Sequence, residues 1–130
     1  MARRMEQVLG GIAYHTVMPV PLHPKRLRAR GFNQALSLAQ LISRHYTISL
    51  DRYSLVRTRW THSQVGLSER KRRENVRGAF SLIKGRNVYR KAILLVDDVY
   101  TSGSTVNECA KVLMNAGAQA VHILTLARAS

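Results

Sequence analysis

The most informative segment of the chain is Ala92-Ile-Leu-Leu-Val-Asp97-Asp98-Val-Tyr-Thr101-Ser-Gly-Ser-Thr105. It begins with Ala92–Val96, a continuous apolar run that is typical of a strand covered on both faces of a parallel sheet. Two carboxylates and a loop of small hydroxyl residues follow this run. An apolar pattern with the i, i+3, i+4, i+7 spacing of a helix comes next, at Val106, Cys109, Ala110 and Leu113. A strand, a small polar loop and a helix start in this order predict a phosphate-binding loop.

The loop offers several hydrogen-bond donors to one anion. Its backbone N–H groups and those of the first helical turn point at one spot, where the helix dipole favours negative charge. Gly103 allows the backbone to approach a ligand closely, and hydroxyl groups add donors at Thr101, Ser102, Ser104 and Thr105. Asp97 and Asp98 do not bind phosphate; they are placed to accept hydrogen bonds from neighbouring hydroxyl groups or to hold a hydrated Mg²⁺ ion.

Two better-known phosphate loops do not match this stretch. A Walker A loop needs a Lys, and a dinucleotide fingerprint needs three spaced glycines with its acid far downstream. A simpler interpretation is that the two acids end a strand and that Ser104 or Thr105 caps the helix, since Thr105 and Glu108 have capping-box spacing. We favour a ligand site, because two acids at the mouth of a buried strand are costly unless something uses them.

The segment Val96–Thr105 resembles the 5-phosphoribosyl-1-pyrophosphate (PRPP) signature of type I phosphoribosyltransferases. This resemblance implies an α/β fold with a mainly parallel sheet, helices on both faces and a mobile basic lid. It also implies that Asp97 and Asp98 are the catalytic acids and meet the ribose 2′- and 3′-hydroxyl groups. By the same resemblance, residues 101–105 bind the 5′-phosphate, and Mg²⁺ binds through PRPP and water near the two acids.

The composition suits one cytoplasmic domain with anionic partners. The 130 residues carry 21 Lys and Arg against 7 Asp and Glu, which favours phosphorylated small molecules or nucleic acid as ligands. No apolar run has transmembrane length, and the N-terminus lacks the apolar core of a signal peptide. Cys109 lies on the apolar helix face, which indicates a buried small hydrophobe, and none of the five His residues has metal-ligand spacing.

A second informative stretch follows the first predicted strand. Residues Ala2–Leu9 are expected to form a short helix, and Thr16–Val20 a strand that ends near Pro19. A basic loop then precedes a helix that is expected to start near Asn33 and run to about Tyr46, with Ala35, Leu38, Ala39 and Ile42 inward. Loops at the carboxyl ends of neighbouring strands meet over one crevice, so this loop is placed to bring Lys25 or Arg26 to a pyrophosphate. The alternative is a solvated basic loop.

The segment Val20–Ala35 is similar to the ComF/GntX branch of phosphoribosyltransferase-like proteins, which show a Pro-Leu, Arg and Arg-Gly-Phe-Asn-Gln pattern here. The resemblance implies a pyrophosphate-binding loop made by His23, Pro24, Lys25 and Arg26. It further implies that the pocket beside this loop is shaped by Arg30, Gly31, Phe32 and Asn33. The resemblance extends from about Val17 to Arg128.

The middle of the chain is expected to supply a lid. A strand at Tyr53–Arg57 and a loop at Arg59–Ser68 precede a helix that Ser68 caps and that runs to about Val76. This helix is polar all round, so it is expected to pack poorly and to fold basic side chains over a phosphorylated ligand; the alternative is a solvated helical arm. The family pattern supports the lid, whose residues are then Gln64, Lys71, Arg72 and Asn75.

The remaining segments complete the sheet. Gly78–Ile83 is expected to be a strand, and Gly117 is expected to end the last helix as its C′ residue. Ala120–Ala127 is expected to be a final buried strand, in which His122 is structural.

The leading interpretation is therefore a PRPP-binding domain of the ComF type that spans residues 1–130 and lacks the family's Cys-rich zinc module. It would transfer a phosphoribosyl group and release pyrophosphate. A second interpretation, implied by the family's association with natural competence and DNA uptake, is a module that handles single-stranded DNA with helicase and recombination partners. A third is a PRPP sensor without turnover. No membrane partner is expected.

Overall fold

The computed structural model describes residues 13–22, 28, 31, 33–59, 68–100 and 103–128, with only the backbone described at 99, 100, 127 and 128. The elements are, in chain order, β1 (Thr16–Pro19), α1 (Gln34–Tyr46), β2 (Ser49–Leu50), β3 (Leu55–Arg57), α2 (Glu69–Val76), β4 (Phe80–Leu82), β5 (Ala92–Tyr100), α3 (Ser104–Asn115) and β6 (Ala120–Arg128). The helix predicted at Ala2–Leu9 lies outside the described residues.

Four strands form a parallel sheet in the order β2-β1-β5-β6, which confirms the predicted α/β class. Side chains alternate between the two faces of β5, so each helix has its own core. On one face Leu94 and Val96 pack with Val17 against α1. On the other face Ile93 and Leu95 pack in a cluster with the buried side of α3. Helices therefore cover both faces, as predicted.

Helix α1 begins and packs as its sequence indicates. The Asn33 side-chain Oδ1 accepts hydrogen bonds from the N–H groups of Ala35, at 3.0 Å, and Leu36, at 3.4 Å. This N-cap satisfies donors that the helix itself leaves unpaired. The four residues predicted to face inward are all buried.

Strands β3 and β4 form a separate antiparallel pair in which Leu55 faces Leu82 and Arg57 faces Phe80. Leu55 and Phe80 are buried in the same cluster as Cys109 of α3, so the pair covers the α3 face of the sheet. Both strands are shorter than predicted. At Asp51 the chain turns instead, because the carboxylate accepts hydrogen bonds from the N–H groups of Tyr53 and Ser54.

Strand β5 runs past the predicted end at Val96 and includes both acids. Its pairing with β6 continues from Asp97, opposite Thr125, to Tyr100, opposite Arg128. Backbone pairing with a long neighbouring strand therefore overrides the low strand propensity of Asp.

The prediction of a buried final strand was wrong. Along the described part of β6, Ile123 is 38% and Leu126 is 50% exposed. The strand lies at an edge of the sheet, and an apolar run in an edge strand cannot be distinguished from a central one by its composition. His122 is exposed, and its Nδ1 lies 2.8 Å from the Tyr14 hydroxyl oxygen.

No helix in the described ranges has both the length and the apolarity that a membrane crossing requires.

Candidate functional site

The described residues that directly follow β1, at 20–22, and the acids of β5 lie at the same end of the sheet. Pro19 is in register with Val96 in the parallel pair, and the N–H group of Val20 donates to the Val96 carbonyl oxygen at 2.8 Å. The Asn33 amide nitrogen donates to the Val20 carbonyl oxygen at 3.3 Å, which fixes the start of α1 beside the end of β1. The sequence predicts that the loop after β1 and the loop after β5 meet over one crevice. The positions of the described residues at the ends of these loops are consistent with that prediction.

Asp97 and Asp98 are both half-buried where β5 leaves the sheet interior. The N–H group of Asp98 donates to the Asp97 carboxylate oxygen at 2.9 Å. Burial raises the pKa of Asp97 to about 7, helped by a hydrogen bond that the protonated Asp97 donates to the Asp98 side chain and by the negative charge of that side chain. Two neighbouring, half-buried acids resist double ionisation, so they favour a ligand that offers hydroxyl donors or positive charge.

The sequence did not indicate any influence of Arg57 on the acids. Its positive charge opposes, but does not outweigh, the effects that raise the pKa of Asp97. The same guanidinium lies over the Phe80 ring, with its central carbon 5.0 Å from the ring centroid. The contact between Arg57 and Phe80 could not be predicted without knowing that β3 pairs with β4, because the two strands are far apart along the chain.

The N-cap of helix α3 lies one residue before the first of the two predicted caps, Ser104. Gly103 is the N-cap, with φ at +82°, and the first bond of the helix runs from the Asn107 N–H group to the Gly103 carbonyl oxygen at 2.8 Å. The capping box at Thr105 and Glu108 was therefore wrong. A glycine cap has no side chain to occupy the first-turn N–H groups, and its left-handed conformation suits glycine. Ser104 is buried and Thr105 half-buried at this helix start.

Helix α2, for which a lid role is predicted, forms where it was expected. Ser68 accepts a hydrogen bond from the Lys71 N–H group at 3.3 Å. Lys71 is exposed, whereas Arg72 and Asn75 are half-buried and share with buried Val76 the inner face of the helix. Only Arg72 and Asn75, among the described lid residues, therefore lie on the side towards the protein.

Hydrogen bonds from two residues, which the sequence did not indicate, fix the end of α2. The Arg59 guanidinium donates to the carbonyl oxygens of Asn75, at 2.9 Å, and Arg77, at 2.6 Å. The Gly78 N–H group donates to the Glu108 carboxylate of α3 at 3.1 Å. These bonds satisfy carbonyl groups at the helix end and join α2 to the helix that starts at the candidate phosphate site.

A groove of about 450 Å³ lies between α2 and α3, next to Ser104. Its lining includes four cations, Arg70, Arg73, Arg77 and Lys111. Two acids also line it, and exposed pairs such as Arg70–Glu74, at 3.2 Å, offset part of the positive charge.

Several predicted site residues lie outside the described ranges. They are His23, Pro24, Lys25, Arg26, Arg30, Phe32, Gln64, Thr101 and Ser102. Gly31 is described, with φ at +80°, and no atom lies within 4 Å of a Cβ built on it.

The described residues contain no cluster of three or more His, Cys, Asp or Glu side chains that would hold a metal ion by itself. Mg²⁺ typically takes one or two protein carboxylates and completes its shell with phosphate oxygens and water. The Asp97–Asp98 pair fits that requirement. Cys109 is fully buried, and its burial raises the pKa of the thiol, so the residue has the character of a core side chain.

Comparison with known proteins identifies the domain. The profile of the phosphoribosyl transferase domain matches residues 33–130. The chain is 41% identical over 114 residues to Competence protein F from Haemophilus influenzae, a match that covers 87% of this chain and 50% of that protein. It is also 41% identical over 115 residues to DNA utilization protein YhgH from Escherichia coli K12, covering 86% of this chain and 48% of that protein. The chain thus spans about half the length of the curated relatives it matches.

The fold is shared with solved structures. Glutamine PRPP amidotransferase from B. subtilis superimposes with a TM-score of 0.60 at 22% sequence identity, covering 95% of this chain and 24% of that one. At this identity the similarity shows the fold alone.

Proposed function

The chain belongs to the ComF family of phosphoribosyl-transferase-domain proteins, and from this premise we propose that it binds PRPP at the carboxyl end of β5. One observation carries the proposal: β5 carries two half-buried carboxylates near its carboxyl end, and the next element is a helix whose N-cap is Gly103. Acids and a helix N-terminus side by side match a ligand that has hydroxyl donors next to a phosphate. A ribose 5-phosphate unit has both.

Each part of PRPP is assigned to one part of the site. The start of α3 and residues 101–105 take the 5′-phosphate, and Asp97 and Asp98 accept hydrogen bonds from the ribose hydroxyl groups. The loop after β1, at residues 23–26, takes the pyrophosphate. Mg²⁺ held near Asp97 and Asp98 through the ligand and water would neutralise phosphate charge.

Phosphoribosyl transfer is the proposed reaction. The bond between ribose C1 and the pyrophosphate oxygen breaks, pyrophosphate leaves with the electron pair, and an acceptor nucleophile forms a new bond to C1. Positive charge develops at the ribosyl centre, and the two carboxylates are placed to stabilise it. Release of pyrophosphate across a panel of bases and amines would separate an enzyme from a sensor that binds PRPP without turnover.

Isothermal titration with Mg²⁺ and PRPP tests the proposal. The wild type is expected to bind, and Asp97→Asn and Asp98→Asn are expected to lose most of the affinity. Glu74→Gln, on the exposed face of α2, is the charge-matched control, because it also removes one negative charge. An absence of heat from the wild type, or equal loss in all three variants, would contradict the proposal.

A second candidate function is binding of single-stranded DNA, in line with the competence and DNA-utilization names of the relatives. The observation that favours it is the groove between α2 and α3 with its four lining cations. If several phosphates are neutralised there, affinity for an oligonucleotide should fall steeply as salt rises. Charge reversal at Arg73 and Lys111 should reduce the salt dependence. Salt-independent binding would remove this candidate.

A further inference from the structure

The groove between α2 and α3 places cations beside the candidate phosphate site. Its lining includes Ser104, the first residue of α3, and three cations from α2 and its C-cap, which are Arg70, Arg73 and Arg77. Cations outnumber acids in α2, so the ion pairs on its exposed face leave it positively charged. Salt screens charges little over distances below the Debye length, which is about 8 Å at physiological ionic strength. An anion at the start of α3 is therefore attracted by α2 in the position that the structure shows.

Helix α2 has little apolar surface with which to hold this position. Of its eight residues, all of which the structure describes, only Val76 is buried. A helix of this length is not stable alone in water, so it persists only while it is docked against the protein. Polar contacts at its end therefore have a large effect on whether α2 stays docked.

Glu108 makes such a contact and joins the end of α2 to α3. The Gly78 N–H group, two residues beyond Val76, donates to the Glu108 Oε1 atom at 3.1 Å. The Glu108 side chain is only 18% exposed, and its Oε2 atom lies 3.7 Å from the Lys111 ammonium nitrogen of the same helix. A hydrogen bond to a charged acceptor is about twice as strong as one between neutral groups. This bond fixes the turn through which α2 leads into β4.

The Glu108 carboxylate is also close to the candidate phosphate site. Glu108 follows Ser104 by four residues, so the two lie on one face of α3, about 6 Å apart along its axis. A negative charge at this place repels a bound phosphate, and groups that donate to the carboxylate reduce that repulsion. The Gly78 N–H group is such a donor, and it is lost when α2 undocks. Docked α2 thus favours an anion in two ways, through its own cations and through this N–H group.

We propose that Glu108 is a positioning residue, which holds α2 docked against α3 and thereby links the position of α2 to phosphate binding at the start of α3. The inference rests on the proposed function, because it needs an anion at that place, and it adds a residue that does not touch the ligand. Linkage is reciprocal: a ligand that binds more tightly to the docked state also favours docking, by the same factor.

Amide hydrogen exchange measures the docking of α2, because its amides meet solvent when the helix undocks and unfolds. Without ligand, exchange at residues 69–78 should be about 10- to 100-fold faster in Glu108→Ala than in the wild type, from the loss of a hydrogen bond to a charged group. Glu108→Gln retains an oxygen acceptor for the Gly78 N–H group, so it should recover part of the protection. It replaces Glu108→Ala if that variant fails to fold.

The link to the ligand is tested with Mg²⁺·PRPP. Saturating PRPP should slow exchange at residues 69–78 of the wild type by about fivefold or more. PRPP affinity, measured by titration, should fall in Glu108→Ala by no more than that same factor. The order of affinities is decisive. Removing a carboxylate one turn from a phosphate would by charge alone raise the affinity, so Glu108→Gln should bind PRPP at least as tightly as the wild type, and Glu108→Ala more weakly than both.

Glu74→Ala is the matched control. It removes a carboxylate that lines the same groove, and the contact it breaks is an exposed pair with Arg70. Exchange at residues 69–78 should stay within about threefold of the wild type, and PRPP affinity should not fall.

The outcomes separate the inference from the proposed function. If the wild type does not bind PRPP, the proposed function fails, and the linkage fails with it. If the wild type binds PRPP, three results overturn the role of Glu108 alone: exchange in Glu108→Ala that is not faster at residues 69–78, exchange there that PRPP does not slow, or PRPP binding by Glu108→Ala that is as tight as by Glu108→Gln.

Discussion

Replacing Asp97 with Asn is expected to stabilise the ligand-free protein at alkaline pH while it removes PRPP binding. The pKa of Asp97 is about 7 in the folded protein, against an ordinary value of 3.8. For a carboxyl group whose folded pKa is raised, the stability present below the unfolded pKa is lost as the pH rises through the folded pKa. The wild type should therefore lose stability between about pH 4 and pH 7, whereas an uncharged Asn should not.

The difference between the two pKa values sets an upper limit of ~4 kcal/mol on this loss. Part of the Asp97 side chain meets solvent, which screens its charge, so we expect ~1–2 kcal/mol at pH 8. For a domain of this size that corresponds to an increase in Tm of about 3–10 °C. The gain would show that the acids are retained at a cost in stability, as expected of residues that serve a ligand.

The assay is thermal or urea unfolding of both proteins over a series from about pH 4.5 to pH 8. Asp51→Asn is a control for which the expected change in stability at pH 8 has the opposite sign. Burial raises the pKa of Asp51, but hydrogen bonds from the Ser54 side chain and backbone and from the Tyr53 backbone outweigh it and lower the pKa. Its stabilisation is present above its unfolded pKa and lost as the pH falls, so this variant should be less stable than the wild type at pH 8. A Tm for Asp97→Asn that is unchanged or lowered at pH 8, or a gain that does not depend on pH, would refute the reasoning.

Three further predictions concern the site and its supports. Gly103→Ala and Gly85→Ala should each lower the free energy of unfolding by ~1 kcal/mol, because both glycines have positive φ. Gly85→Ala is the control: only Gly103→Ala should also weaken PRPP binding, as measured by titration. Because Asp97 accepts hydrogen bonds in the proposed complex, PRPP affinity should fall about tenfold for each pH unit below the pKa of Asp97. PRPP binding near neutral pH should also release protons, which titration in two buffers of different ionisation enthalpy measures. A PRPP affinity that does not change between pH 5 and 7 would argue against this role. Asn33→Ala should lower stability by ~1 kcal/mol in urea unfolding through loss of the α1 cap, whereas Asn33→Asp should retain most of it.

Much of the parallel framework was predictable because its signals are local. Asn33 precedes a helix whose apolar residues recur at helical spacing, and Pro19 marks the end of β1, so both were placed correctly. The helix start at Ser104 was not, because hydroxyl side chains after Gly103 resemble caps while the glycine itself serves as the N-cap. Sequence patterns describe side chains, whereas a glycine acts through its backbone.

The features that were missed depend on pairing between distant segments. Strand β5 extends through Asp97 because β6 continues beside it, and Arg57 lies over the Phe80 ring because β3 pairs with β4. The hydrogen bond from Arg59 to the carbonyl oxygen of Asn75, near the end of α2, is a contact of the same kind. None of these has a periodic signal, since each joins residues whose separation along the chain carries no information about their distance in space.

Among the described residues β6 forms an edge of the sheet, and this position has a consequence for the behaviour of the protein in concentrated solution. A long apolar edge strand is a template for pairing with another chain, and the interior of β6 has no Lys or Pro to prevent it. The net charge of +14 supplies the opposing force, because copies repel each other before their edges meet. Salt shortens the range of that repulsion to about 3 Å at 1 M. Colloidal stability is therefore expected to decline as ionic strength rises, so dilute buffer should keep the protein monodisperse where concentrated salt would not.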